Sequence, residues 1–209
     1  MICGVPADDG ISDSLKVHIT FQDDGEQEQD ISIVGYLVEG SSVSLSNSYI
    51  EPFSGDTIDS IDRIEEKFKK LITMTKAATD VTFNTVLNSV SVWEGTNPIT
   101  FSLVLYFHAY NDAKREVMEP IRQLLRAALP ELSEVVPFPT SGGEDWGRVP
   151  KTCMVDIGRK IKVPLCIDDV QYEIDAPKTR DGDFAYNTVT LNCTMKQVMQ
   201  RSSVTEHFV

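Results

Sequence analysis

Histidine is the first scarcity in this chain. His18, His108 and His207 are the only three, far apart and in no HExxH or HxH arrangement, so no local run of ligands builds a zinc site. Cysteine is almost as sparse. Cys3, Cys153, Cys166 and Cys193 include no CxxC pair, and four in 209 residues argue against a disulfide framework. Cys153, Cys166 and Cys193 fall in strand-like alternation, where a free thiol behaves as a small hydrophobe. Long apolar runs are also missing. The longest, Phe101 to Ala109, is broken by Ser102 and His108 and falls well short of the ~20 residues that cross a bilayer. The first residues carry neither the basic start nor the apolar stretch of a signal peptide, so folding in a cytoplasm is expected. There is no Gly-x-Ser-x-Gly elbow and no phosphate-cradling glycine motif, because Ser141-Gly142-Gly143 leads toward Pro150 rather than into a helix.

Bases are outnumbered. Lys and Arg total 19 against 32 Asp and Glu, a net charge of −13 that repels a phosphate backbone and argues against a nucleic-acid partner. The acids gather early: Asp8, Asp9, Asp13, Asp23, Asp24, Glu26, Glu28 and Asp30 face Lys16 as their one base. This reads as a solvated acidic face, with an interface to a basic partner, or repulsion from a channel's contents, as the functional alternative. The hydrophobic fraction of 41% is enough to bury a core, in one domain or two intimately packed lobes.

Period-two patterning dominates. Leu15, Val17, Ile19 and Phe21 alternate with Lys16, His18, Thr20 and Gln22, which predicts a strand with one wet face. An acidic turn at Asp23 to Glu26 leads into an apolar run over Ile31 to Val38, and Val43 to Ile50 alternates again, so a β-meander is expected over 1–50. Ile58, Ile61, Ile64, Phe68, Leu71 and Ile72 share one helical face, with acids at the start and lysines toward the end. Strands are expected at Val81–Val86, Ser89–Trp93 and Ile99–Tyr110, the last apolar on both faces and therefore central, with cover on each side. Asn111 or Asp112 opens a second helix through Leu129, which Pro120 begins or kinks. A Pro- and Gly-rich loop spans 130–150. Strands follow at Thr152–Ile157, Lys160–Ile167 and around Val170–Asp175, with the Asp168-Asp169 pair between them read as a turn. The Asp181-Gly182 turn precedes a strand over Phe184–Met195.

Carboxylates are plentiful, but in turns, where solvation keeps them ordinary rather than tuned as a catalytic pair. Trp93 closes a strand and is expected to pack partly into the core. Trp146, in a loop with little local core, either folds back or anchors a partner, since Trp is enriched at interface hot spots. Trp146, Arg148, Trp93, Phe138 and Phe208 are the candidate interface residues. No catalytic, metal or cofactor residue is assigned.

The stretch from Val92 to Leu103, with Trp93-Glu94-Gly95-Thr96 at its head, resembles one in baseplate and tail-tube-associated proteins of contractile-tailed bacteriophages. The likeness continues through the strand Ile99–Tyr110, the steps Glu119-Pro120-Ile121 and Leu129-Pro130, a Pro- and Gly-rich loop, Ile157-Gly158-Arg159, and a last strand after Asp181-Gly182, covering roughly 88–195. It implies a non-enzymatic component of the phage tail end, near the junction of tube, sheath and hub. The acidic meander does not match that pattern.

The expected fold is α+β, an antiparallel β-sandwich or partly closed β-barrel with two covering helices, tail-tube-like, in a single structural domain: an acidic N-terminal β-meander (1–50), a tube-like core (51–199) and a docking tail (200–209). The resemblance implies a virion protein assembled in the host bacterial cytoplasm. Its partners would be tail tube, hub, sheath or wedge subunits in a ring-forming or multi-copy arrangement, with no membrane and no cofactor. The rival readings are a β-sandwich module binding carbohydrate or peptide, with Trp146 and Tyr172 beside a cleft, and an enzyme using two converging carboxylates.

Overall fold

The computed structural model describes residues 1–6, 8–23, 29–50, 91–132 and 149–209. The helix expected at 58–76, the strand at 81–86 and most of the 130–150 loop lie outside the described residues.

Residues Met1–Leu45 and Pro98–Val209 make one compact unit. Its strands are β1 (Ile2–Gly4), β2 (Lys16–Asp23), β3 (Gln29–Leu37), β4 (Ser42–Ser44), β7 (Thr100–His108), β8 (Thr152–Ile157), β9 (Ile161–Tyr172) and β10 (Tyr186–Met195). Six of them, in the cyclic order β3-β2-β8-β9-β10-β7, close an antiparallel barrel. Closure comes from β3 meeting β7 at Tyr36↔Tyr106 and Leu37↔Leu105. The barrel is closed rather than partly open, and among the described residues no two-layer sandwich forms. Strands from 1–45 and from 100–195 share this barrel, while β5 at 47–50 does not.

Period-two alternation fills the interior. Val17, Ile19 and Phe21 of β2, Ile31 and Ile33 of β3, and Phe101, Leu103, Leu105 and Phe107 of β7 point inward with Val155, Leu165 and Leu191, all buried. Each such side chain contributes ~1.5–3 kcal/mol of burial. The barrel is therefore a packed core with no lumen. Gly35 belongs to this packing: a Cβ there would sit 3.0 Å from Cε1 and Cζ of Phe107, so the missing side chain is the space the ring occupies.

Asp112 opens the helical segment after β7, its Oδ1 accepting from the Lys114 and Arg115 N–H groups at 3.0 and 3.2 Å. A π-helical turn, Lys114–Met118, runs into helix α1 (Glu119–Ala128). Pro120 lies at the junction of the π-helical turn and α1, inside the helical run that Asp112 opens, where it has no N–H to give to the preceding turn. Val117, Ile121, Leu124 and Ala127 then lie on the barrel core. Glu116 is buried and accepts from the backbone N–H groups of Tyr110 at 2.5 Å and Asn111 at 3.0 Å, fixing the strand-to-helix corner.

β9 is one twelve-residue strand where two were expected. Opposite β10 its register runs Cys193↔Ile167 and then Asn192↔Asp169, leaving Asp168 as the extra residue of a β-bulge. β7 also departs from expectation: its inner face is fully buried, but outward Tyr106 and His108 are half-buried and Tyr110 is exposed, so cover on that side is partial.

The C-terminal segment is seated on its own barrel. A short helical turn, Val204–His207, brings Phe208 against Ile161, and the Val209 N–H donates to Lys160 O at 2.8 Å.

Residues Ser46–Asn97 make a second unit. Within it β5 (Asn47–Ile50) and β6 (Val92–Thr96) pair as an antiparallel ribbon with Tyr49↔Trp93 and Ile50↔Val92 in register.

Gly35→Val places methyl groups inside the Phe107 ring and is expected to cost roughly 1–3 kcal/mol. Combining it with Phe107→Leu should recover part of that loss, because the two sites share one space. Urea unfolding of the two single variants and the double variant measures the coupling; strict additivity would contradict this packing.

Candidate interaction surfaces

The first group of functional interest lies on the outer face of β2 and β3, where the sequence predicts a wet strand face. Lys16 is 2% exposed there, and its Nζ lies 2.7 Å from Asp9 Oδ1, with the Asp9 side chain 1% exposed. The Tyr36 hydroxyl donates to Asp9 Oδ2 at 2.5 Å and lies 3.2 Å from the Tyr110 hydroxyl. Asp13 extends the network at 3.8 Å from Lys16 and 3.4 Å from Arg159, which pairs with Asp156 at 3.1 Å. The reading of Asp9 as a solvated turn acid is therefore corrected: the segment around it folds over β2 and excludes water from the pair. Burial alone would raise the Asp9 pKa, but the bond from Lys16, the Tyr36 hydroxyl and the Ile11 N–H outweigh it and hold the carboxyl below its ordinary value. Burial, reinforced by Asp9 and Tyr110, pushes the Tyr36 phenol above its usual range.

Beside this network stands an aromatic row. The Tyr106 and His108 rings are stacked with centroids 6.3 Å apart, His108 meets Tyr110 edge-on at 5.1 Å, and Tyr186 of β10 lies 6.1 Å from Tyr106. His108 Nδ1 and His18 Nε2 are buried without a hydrogen-bond partner. The third histidine, His207, meets Lys162 O through Nδ1 at 2.8 Å. Among the described residues no group of three or more His, Cys, Asp or Glu side chains is placed to hold a metal ion.

The thiols are structural. Cys3, Cys153 and Cys193 are buried, and desolvation pushes each up to about 12. Cys166 is half-buried on the outer face, 3.7 Å from Thr152 Oγ1.

Of the candidate interface residues, Trp93 stands on β6 and is 59% exposed, opposite Tyr49 at 60%. Core packing was expected of it; instead its indole Nε1 donates to Thr96 Oγ1 at 3.2 Å, and Thr96 in turn donates to Asn47 Oδ1 at 2.6 Å. Among the described residues the ribbon has two strands, and Trp93 stands on its exposed side. Phe208 is half-buried against the barrel. Phe138, Trp146 and Arg148 lie outside the described residues. Tyr172, expected beside a cleft, packs on the core edge-on to Phe184 at 6.4 Å.

A hollow of about 320 Å³ lies where β4, β7, β10 and the bulge of β9 meet, bordered by the hydroxyls of Ser42, Ser44, Thr100, Ser102 and Thr194, by Asn192 and by Asp168. The sequence hides it, because adjacent aspartates such as Asp168-Asp169 favour a turn. The signal was present: Val163, Leu165 and Ile167 alternate in one phase, and Val170 and Tyr172 resume one residue out of phase.

No family model and no curated protein matches the chain.

Two measurements test this description. Asp9→Asn strands the Lys16 ammonium and is expected to cost roughly 3–5 kcal/mol at neutral pH. Because the Asp9 pKa is lower folded than unfolded, its contribution is complete above the unfolded carboxylate value of ~3.9 and is lost as pH falls through the folded value. The stability gap between native chain and variant should therefore hold from neutral pH to about 4 and close below it; a gap that ignores acid would contradict the ion pair. Separately, a thiol reagent at neutral pH should modify Cys166 rapidly and the other three cysteines only after unfolding.

Proposed function

We propose that this chain is a structural component of a contractile phage tail baseplate, docking near the junction of tube, sheath and hub through protein–protein contacts, with a tail-tube-like fold. One observation carries the reading. The most specific piece of the resemblance, Trp93-Glu94-Gly95-Thr96, is strand β6, and its tryptophan is presented to solvent and steadied by Thr96 instead of being buried. Tyr49 opposite it, with Ile50 and Val92 beside the pair, makes a small apolar ribbon of the composition that anchors protein interfaces.

Two features of the barrel unit support the same reading. β4 pairs with β7 along one edge and has no strand on the other among the described residues, and a short free edge of this kind accepts a strand from a neighbour. The barrel interior is solid with side chains, so its business with other molecules is conducted on its outer surface.

Antibody-gold labelling of tailed particles from the source, viewed by electron microscopy, tests the proposal. Gold confined to the distal end of the tail is expected, and Trp93→Ala together with Tyr49→Ala should reduce that label while the isolated chain stays folded. Particles bare of label both intact and after disruption, with the protein free in the lysate, would overturn it.

A further inference from the structure

The hollow at the β9 bulge has a definite chemistry. Two cross-strand rows make its floor: Ser42, Ser102 and Asn192 in one, and Ser44, Thr100 and Thr194 in the next. The residues between them, Phe101 and Cys193, turn inward to the core, so the floor consists of short polar side chains standing on a rigid sheet. In a regular strand Asp168 and Asp169 would point to opposite faces. The bulge removes that alternation: Ile167 before them and Val170 after them both pack inward, and the two carboxylates share the outer side.

Their hydrogen bonds hold them in place without using them up. Asp168 Oδ2 accepts from Thr194 Oγ1 at 2.5 Å, and Asp169 Oδ2 accepts from Gln171 Nε2 at 2.6 Å and Asn192 Nδ2 at 3.3 Å. Among the described residues no basic side chain pairs with either carboxylate. Asp168 Oδ1 and Asn192 Oδ1 are thus spare acceptors at the edge of a cavity of about 320 Å³ lined otherwise by three serines, two threonines, Phe101 and Cys193.

We propose that this cavity receives the guanidinium of an arginine presented by a partner protein. A guanidinium is a planar fork of five N–H donors with no acceptor, and it matches a carboxylate flanked by hydroxyl and amide oxygens. Anions are repelled by Asp168 in a chain of net charge −13. A sugar ring would find no aromatic plane among the lining side chains, since Phe101 faces the core. The cavity adjoins β4, whose outer edge is unpaired, so a partner strand added there would carry its side chains past the floor. The site deepens the docking reading above and rests on it for the partner's being a protein.

Backbone-amide NMR of the full chain, titrated with N-acetyl-arginine methylamide, tests the site. Shifts are expected at residues 42–44, 100–102 and 192–194, weakening as salt is raised, with no response to the neutral isostere N-acetyl-citrulline methylamide. Asp168→Asn keeps the shape and the acceptor for Thr194 and should weaken the arginine response roughly tenfold, while Asp169→Asn, outside the cavity lining, serves as the charge control and should change it less. Equal shifts from citrulline, an equal response to N-acetyl-lysine methylamide, shifts elsewhere, or an unaltered Asp168→Asn titration would overturn the assignment. Gold at the distal tail with no arginine response overturns the site alone; an arginine response with unlabelled particles overturns the baseplate reading alone.

Discussion

β3 has to serve three neighbours, and the barrel depends on how it does so. Along Lys16 to Asp23 it gives one edge to β2, while Ile2 to Gly4 occupies the opposite edge at Ser32 to Val34. Its last residues then turn to β7 and close the ring. Past that seam the ladder breaks and resumes as β4: between Leu37↔Leu105 and Ser42↔Ser102 one strand advances five residues while β7 advances three. The Ser41 hydroxyl bridges the break, donating to Val38 O at 3.0 Å and accepting from the Val104 N–H at 2.9 Å. A side chain thus does there what a backbone group does elsewhere in a sheet. The absent side chain of Gly35 gives the Phe107 ring its space beneath the same seam. Without closure the inner faces of β3 and β7 would be two apolar edges open to water.

Closure also determines what happens outside. Bringing β3 to β7 sets Tyr36 beside Tyr106 and its hydroxyl within reach of Tyr110, and the segment before β2 delivers Asp9 onto that hydroxyl and onto Lys16. An ion pair this deeply buried gains little over a well-packed apolar substitute, because desolvating two charges offsets most of their attraction. Its effect is positional: breaking one partner leaves the other charge without water, so the covering segment is held to a single arrangement. His18, whose pKa is lowered first by burial and then by Arg159, lies on the same face and adds a second reason for that face to stay covered.

The inner half of this fold was legible in the sequence and the outer half was not. Val17 to Phe21, Phe101 to Phe107 and Val189 to Met195 declare their strands and their buried faces because period two is a local property. α1 was legible through its apolar stripe, but the π-helical turn ahead of it, which meets α1 beside Pro120, was not. Lys16 and Asp9 failed to declare themselves because the irregular segment before β2 folds back over that strand, and a polar residue at an outward position reads as wet until that cover is known. Trp93 failed in the opposite direction: a tryptophan at a strand end suggests a core, but this one is exposed on a ribbon that has two strands among the described residues. Closed barrel against sandwich was decided by two residues of pairing, too little for any composition to express.

The Asp168-Asp169 pair shows how a local rule can mislead while remaining true. Two adjacent aspartates do favour a turn, because their side chains compete for backbone N–H groups. Here the flanking strand continues, since Ile167 and Val170 both have inner places to fill, and the chain reconciles the two demands by inserting one residue. That insertion has a cost, for it interrupts the ladder at the end of the barrel where β4 also leaves an edge unpaired. Turning two carboxylates to the same side gives that patch of the outer surface a local negative charge. A positive group among the hydroxyls would complement that charge. The outer surface near the bulge is thus the place where the proposed arginine would settle, as a partner is proposed to cover the exposed Tyr49 and Trp93 of the other unit.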